Sequence, residues 1–421
     1  MFQLTRREFG KLTGAATAVG LAGSFPNIAF GANQQVVVIG GGYGGAVAAK
    51  YIKMANVAAD VTLIEKNKEY VSCPLSNPVI AGMRELSVQT WNYEGLKKRG
   101  INVIYDEVTE IDPVGMKVTT KGGQSIKYDK LIVSPGVEMK TGGVEGYDDA
   151  AAEAMPHAWK AGPQTLKLRD MVKSMNDGDN FVLVAPPDPY RCPPGPYERA
   201  SLVAWYLKKN KPKSKVIILD PKDKFSKEGL FKSGWKKLGY NIEYIPGGQG
   251  GKVVKVDAKA GSVSTEMEEY KGVISYIPPQ VAGHIAHVAG LVDEKGWCPV
   301  DVKTFESTKH KNIYVIGDAC IAAPMPKSGY AANSEAKIAA AAIIAGLQGK
   351  EVGDPSYVNT CYSLMSPDYG ISVALVAVLK DGKVTKVNDG VSPAEASDAY
   401  RKQEALYAES WYQSIMADTF S

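Results

Sequence analysis

Short apolar runs, closed by glycine- or proline-rich turns and followed by helical periodicity, recur along the chain. Val36–Ile39 runs into Gly40-Gly41-Gly42-Tyr43-Gly44-Gly45, a helical stretch covers Ala46 to Met54, and a second run, Val61–Ile64, ends on Glu65. Unbroken apolar runs, rather than strict alternation, mark strands buried on both faces of a parallel sheet. A second unit repeats the order: a strand over 181–185, a helix over 197–209, a strand over 215–219, a helix over 229–238, then a strand-rich stretch to 277. Short strands are also predicted within Tyr128–Gly136 and Asn312–Ile316, and an alanine-rich helix from Asn333 to Leu347. The pattern predicts an α/β chain with two Rossmann-like dinucleotide-binding-type domains and a C-terminal α+β interface domain. Residues 32–145 and 280–351 make the first domain, 146–279 the second and 352–421 the third. In the third, 371–378 is strand-like. A last helix carries Leu406, Tyr407, Trp411, Tyr412, Ile415, Met416 and Phe420, a stripe suited to a core or a subunit interface.

The turns separate the two Rossmann-like units. Gly40, Gly42 and Gly45 fit G-x-G-x-x-G between a buried strand and a helix. The first glycine allows the tight turn, the second lets a pyrophosphate approach, and the third lets helix and strand pack. The helix N-terminus then faces the phosphates. Glu65 closes the next strand, where a carboxylate takes the ribose hydroxyls. FAD and NAD share this fingerprint. Pro135-Gly136 and Gly317-Asp318, small-residue turns after two further strands, resemble the FAD-binding segments of two-dinucleotide-domain flavoproteins of the disulfide-reductase superfamily, which implies FAD. The second unit opens instead on Pro186-Pro187 and Arg191-Cys192-Pro193-Pro194-Gly195-Pro196. Proline removes backbone donors, so no phosphate cradle and no NAD(P)H oxidation are expected there. Asp220 is then a relic acid or a turn residue.

The chain has 421 residues, 45% of them hydrophobic, and a net charge of +4. That length allows two or three cores, and the charge gives no sign of nucleic-acid binding. Thr5-Arg6-Arg7-Glu8-Phe9-Gly10-Lys11, a modest apolar stretch and Ala29-Phe30-Gly31 read as a twin-arginine signal peptide over 1–31, implying periplasmic export. The apolar stretch is shorter than the ~20 residues a membrane span needs, and no membrane insertion is expected elsewhere. Five cysteines, Cys73, Cys192, Cys298, Cys320 and Cys361, form no C-x-x-C pair and no haem-attachment motif. With four histidines, the His284/His287 pair reads as structural, and no metal site is expected.

Three segments sharpen the picture: Tyr70-Val71-Ser72-Cys73-Pro74-Leu75-Ser76-Asn77, Arg191 to Ala200, and Tyr357-Val358-Asn359-Thr360-Cys361-Tyr362-Ser363. With Trp297–Asp301 and Pro324–Tyr330, they resemble the flavoprotein subunit of flavocytochrome c sulfide dehydrogenase, within the disulfide-reductase-like flavoproteins. The resemblance implies FAD carried by Cys73 through a thioether, with Asp318 on its ribityl chain. It also implies a redox disulfide between Cys192 and Cys361, which sequence alone does not pair. Hydrogen sulfide would be oxidised to zero-valent sulfur or polysulfide, and electrons would pass to a c-type cytochrome subunit in a heterodimer. Tyr43, Gly329 and Tyr330 are further cofactor-binding candidates. Lys327, with the amides opening the helix after Ser328, would stabilise negative charge on reduced flavin. The distance fits: the eight residues from Glu65 to Cys73 span about 26 Å when extended. Glu198, six residues after Cys192, either handles a proton at the disulfide or favours the helix start through the macrodipole. A sulfide:quinone oxidoreductase-like enzyme and a flavin electron carrier without substrate chemistry are the alternatives.

Overall fold

A computed structural model describes residues 33–421. The expected signal segment over 1–31 lies outside the described residues. The chain opens with β1 (Gln34–Ile39), α1 (Gly45–Met54), β2 (Ala59–Ile64), β3 (Asn102–Ile104) and β4 (Lys130–Val133). It continues with β5 (Asn180–Val184), α2 (Gly195–Asn210), β6 (Lys215–Leu219), α3 (Glu228–Leu238), β7 (Ile242–Ile245) and β8 (Val273–Tyr276). It returns with β9 (Ile313–Val315) and α4 (Gly329–Leu347), and ends with β10 (Ser356–Ser366), β11 (Tyr369–Lys380), β12 (Lys383–Val391) and α5 (Asp398–Phe420).

Two parallel sheets carry the α/β fold. The first has the order β9-β4-β1-β2-β3, so a strand from late in the sequence completes the sheet begun by β1. Val36 to Ile39 lie in register with Val61 to Ile64 on one side and Lys130 to Val133 on the other. This central position explains their unbroken apolar run. The second sheet, β7-β6-β5-β8, is also parallel throughout. Small antiparallel sheets, within residues 108–127 and 253–271, attach to each.

The third sheet is antiparallel, β10-β11-β12. β10 lies against α2 and α4, and α5 lies across β11. The approach is close: a Cβ on Gly370 would fall 2.5 Å from the Ala405 amide nitrogen. The sequence pattern anticipates β11 over 371–378 but does not single out β10, whose polar and apolar residues follow no clean period. α2 starts at Gly195, two residues before its expected start. Pro196 occupies its first turn, where a missing N–H costs nothing. The aromatic stripe of α5 divides: Tyr412, Ile415, Met416 and Phe420 are buried, whereas Leu406 and Tyr407 are exposed. Among the described residues no helix is long and apolar enough to cross a membrane.

Candidate active site

A cleft of ≈ 1230 Å³ opens beyond the C-terminal ends of β1, β2, β4 and β9. Ligands of open parallel sheets bind at such carboxyl edges. Gly40, at φ 93°, has no room for a side chain: a Cβ would fall 2.3 Å from the Ser134 carbonyl oxygen. A Cβ on Gly45 would fall 1.9 Å from the Gly40 carbonyl oxygen. These contacts bring α1 onto the strand and leave its first turn facing the cleft. Glu65 accepts a hydrogen bond from the Gly41 amide at 2.7 Å and lines the cleft beside it.

Most of the expected cofactor residues share this cleft. Gly40, Gly42, Tyr43, Glu65, Cys73, Pro135, Gly136, Gly317, Asp318 and Gly329 line it. Gly45 acts behind it, through packing. Tyr43 exchanges a hydrogen bond with Ser72 at 2.7 Å, next to Cys73. The Cys73 sulfur lies 3.5 Å from both the Trp159 carbonyl oxygen and the Ala161 amide nitrogen. Asp318 has one oxygen, Oδ1, buried without a partner, while Oδ2 lies 3.9 Å from Arg191. A buried acceptor left unpaired is costly unless a ligand hydroxyl donates to it. The glycine cradle, the orphaned Asp318 oxygen and the free Cys73 thiol all fit FAD.

Two of the expected residues sit elsewhere. The Lys327 ammonium donates to the carbonyls of Asp318 and Cys320, at 2.7 and 2.8 Å, and lies over Trp297. Tyr330, one residue after the cleft-lining Gly329, lines a separate cavity of ≈ 500 Å³ and stacks on Trp411. Consecutive helical residues point about 100° apart, which takes Tyr330 off the cleft face. Ser328 caps α4, accepting from the Ala331 amide.

Behind the cleft, the fold joins Cys192 and Cys361. Cys192 stands just before α2 at φ 60°, with its amide bonded to the Lys327 carbonyl. Cys361 stands on β10 with its thiol donating to the Tyr362 carbonyl at 3.6 Å, close enough to Cys192 for each to shift the other's pKa. Their mutual interaction separates them: it raises the pKa of Cys192, with burial adding to the rise, and lowers that of Cys361. Glu198 is buried beside them. Its Oε1 accepts from the Leu364 amide at 2.8 Å and its Oε2 from Asn77 at 2.7 Å. Burial pushes its pKa up, against these two hydrogen bonds.

Several contributors carry no motif in the sequence. Arg199 is fully buried, donating to Asn77, Ser275 and the carbonyls of His157 and Ala158. Burial pulls its pKa down to about 9. Arg191 lines the cleft and donates to the Trp159 carbonyl. Both flank the Cys192 segment, yet no spacing rule marks them. Cys298 and Cys320 are buried register partners on two short parallel strands. His287 meets the Ala282 carbonyl oxygen at 3.0 Å. Among the described residues no group of three or more His, Cys, Asp or Glu is placed to hold a metal.

In the second unit, the place of a ribose-binding acid is taken. Asp220, fully buried at the end of β6, pairs with Lys222 at 2.8 Å and accepts from Tyr197. Its carboxylate is bound within the protein.

Residues 165–278 match the family "Sulfide dehydrogenase [flavocytochrome c] flavoprotein chain, central". Residues 353–420 match "Flavocytochrome c sulphide dehydrogenase, flavin-binding". Both segments thus match models of one flavoprotein family, and the chain is similar to it over these residues. Residues 34–172 match the broader pyridine nucleotide-disulphide oxidoreductase family, and the α/β fold expected from the sequence is of that type. The mitochondrial sulfide:quinone oxidoreductase of Mus musculus is 23% identical over 321 residues, covering 73% of this chain and 70% of the relative. The sulfide:quinone oxidoreductase structure from Aquifex aeolicus superposes with a TM-score of 0.71 at 18% identity, covering 91% of this chain and 92% of that one. The NAD-dependent persulfide reductase from A. fulgidus gives 0.60 at 18% identity, covering 91% and 77%. These two structures share the fold.

One pH effect follows from the wall between Cys73 and the dithiol. His157 Nδ1 accepts from the Trp159 amide at 2.9 Å. Burial, then the charges of Arg199, Lys160 and Arg191, pull the His157 pKa down to about 4. As pH falls below the ordinary value of 6.5, the unfolded chain takes the proton first. The stability from neutral His157 is therefore complete above that value and is lost as pH falls toward 4. At pH 5 the loss is about 2 kcal/mol, at 1.36 kcal/mol per pH unit. Urea unfolding at pH 7 and 5 should show this loss in the unaltered protein and a smaller one in His157→Asn. Equal losses in both would rule out His157 as the source.

Proposed function

We propose that this chain is the flavoprotein of a sulfide dehydrogenase, oxidising hydrogen sulfide to zero-valent sulfur or polysulfide and passing electrons to a c-type cytochrome subunit. The single observation that carries this reading is the meeting of Cys192 and Cys361, 169 residues apart in sequence, beside a cleft that fits FAD. The two family-model matches support it. When bound, FAD supplies an acceptor that takes two electrons at once and releases them singly.

The chain's own residues do the rest. With the dithiol oxidised to a disulfide, hydrosulfide attacks one sulfur, which gains the substrate sulfur as a persulfide, and the other leaves as thiolate. Glu198, raised in pKa by burial, is placed to take or return the proton of the sulfur species. Asp318 and the glycine cradle would hold and orient the cofactor. Cys73 carries the cofactor covalently in this reading. The N-terminal twin-arginine pattern supports export to the periplasm, where disulfides persist.

A quinone as acceptor is the second reading, favoured by the names of the mouse relative and the Aquifex structure. Anaerobic turnover with sulfide decides between them. Reduction of cytochrome c without reduction of a soluble quinone supports the first reading. The reverse supports the second, and a flavin that sulfide does not bleach overturns both. NADH should not reduce the flavin at a comparable rate, because Asp220 is already paired.

Covalent attachment predicts that acid precipitation leaves the yellow colour in the pellet. Cys73→Ala should release it into the supernatant. Free flavin from the unaltered protein would overturn the attachment.

Glu198→Gln should slow flavin reduction by sulfide at least tenfold and flatten its pH profile. It should also cost about 1–3 kcal/mol of stability, because Gln cannot accept two hydrogen bonds through both of its terminal atoms. Unchanged sulfide kinetics with only the stability loss would leave Glu198 as a structural group.

A further inference from the structure

Lys227 occupies a place where a cation is costly. It stands at the start of α3 with φ 61°, in the left-handed region that residues with side chains rarely adopt. It is 9% exposed. Burying an ammonium is unfavourable unless a counter-charge and hydrogen bonds compensate it. Its ammonium donates a hydrogen bond to Ser363 Oγ at 2.8 Å, and among the described residues no carboxylate forms an ion pair with it. Ser363 and Cys361 are two residues apart on β10, so both side chains leave the same face of the strand. The hydrogen bond to Ser363 thus holds the ammonium on the strand face that carries Cys361.

The other groups facing this place are Glu198 from α2, Cys192 from the segment before it and, on α5, Glu404. Glu198 is already bonded to the Leu364 amide and to Asn77. Glu404 is paired with Arg401 and accepts from Ser372 and Ser392. The two carboxylates are committed elsewhere, which leaves the two cysteines, and of these Cys361 shares its strand face with Ser363, the hydrogen-bond partner of Lys227. Burial lowers the Lys227 pKa, and Cys361 is the first group acting to hold it up.

We propose that Lys227 is a positioning residue of the dithiol: its ammonium, aimed by Ser363, holds Cys361 as the thiolate when the Cys192–Cys361 disulfide opens. This rests on the sulfide-oxidising reading for its meaning in turnover. Hydrosulfide gives an electron pair to Cys192 Sγ, and a new sulfur–sulfur bond forms there. The Cys192–Cys361 bond breaks, and its electron pair leaves on Cys361, facing the ammonium. The substrate sulfur is oxidised to the persulfide level, the disulfide is reduced, and the leaving sulfur requires no proton. Attack at Cys361 instead would leave the charge on Cys192, away from Ser363. The arrangement therefore directs the persulfide to Cys192.

The test uses the flavin-loaded full chain, reduced anaerobically with a phosphine. The rate of Cys361 alkylation by iodoacetamide is followed against pH by peptide mass spectrometry. Lys227→Met should move the midpoint up by about one pH unit or more, so that alkylation near neutral pH slows roughly tenfold. Lys227→Arg should restore most of the original profile. If Lys227→Met fails to fold, Ser363→Ala removes the bond that aims the ammonium and should shift the midpoint in the same direction. A profile in the folded variant that superposes on that of the unaltered protein overturns the proposal, as does a downward shift. Sulfide plays no part in this measurement. A flavin that ignores sulfide would thus remove the functional reading and leave the role of Lys227 to be decided by the alkylation profile.

Discussion

The structure depends on a cluster of buried charges where the start of α2 meets β10. Glu198 and Arg199 are adjacent, both buried, and both satisfied through Asn77. Glu198 also accepts from the Leu364 amide, three residues beyond Cys361. Removing one partner from such a cluster strands a charge away from water, at about 3–5 kcal/mol. That penalty fixes α2, β10 and the Asn77 segment against one another. The positions of Cys192, Cys361 and the Cys73 loop follow from it, because each lies within a few residues of a cluster member.

The same cluster ties the chemistry to the cofactor cleft. Arg199 holds the carbonyls of His157 and Ala158. The next residue, Trp159, turns its carbonyl toward Cys73 and Arg191. One short segment therefore reads the buried charge on one side and lines the cleft on the other. Lys327 works in a related way from the segment just before α4. Its carbonyl receives the Cys192 amide, and its ammonium braces the Asp318–Cys320 turn. Its position serves the geometry of both sites, rather than placing a free cation in the cleft.

The two Rossmann-like units have diverged in what their strand ends do. The first keeps its strand ends open, with glycines that admit a ligand and an aspartate oxygen left without a partner. The second has closed its own: Asp220 is consumed by Lys222 and Tyr197, and the turn after β5 leads through prolines to Cys192. One architecture thus supplies an open cleft from one copy and the buried Cys192 from the other.

The first sheet and its glycine cradle were legible in the sequence because they rest on local rules. A buried parallel strand needs an apolar run, a tight turn needs glycine, and Glu65 follows at the end of the next strand. Those rules act within about thirty residues, and they placed Gly40, Gly42, Gly45 and Glu65 without reference to the rest of the chain. The strand β10 and the side chains around the dithiol were not legible in this way. Cys361 has no local signal, and its closeness to Cys192 was implied by family resemblance alone. Lys227, Arg199 and Asn77 resemble ordinary polar residues until the fold removes water from around them. Tyr330 and Lys327 show the converse, since a position one or two residues from the cleft does not decide where a side chain points. Local periodicity determined the elements, whereas burial, which depends on what packs over a residue from far along the chain, decided which charges face the sulfurs.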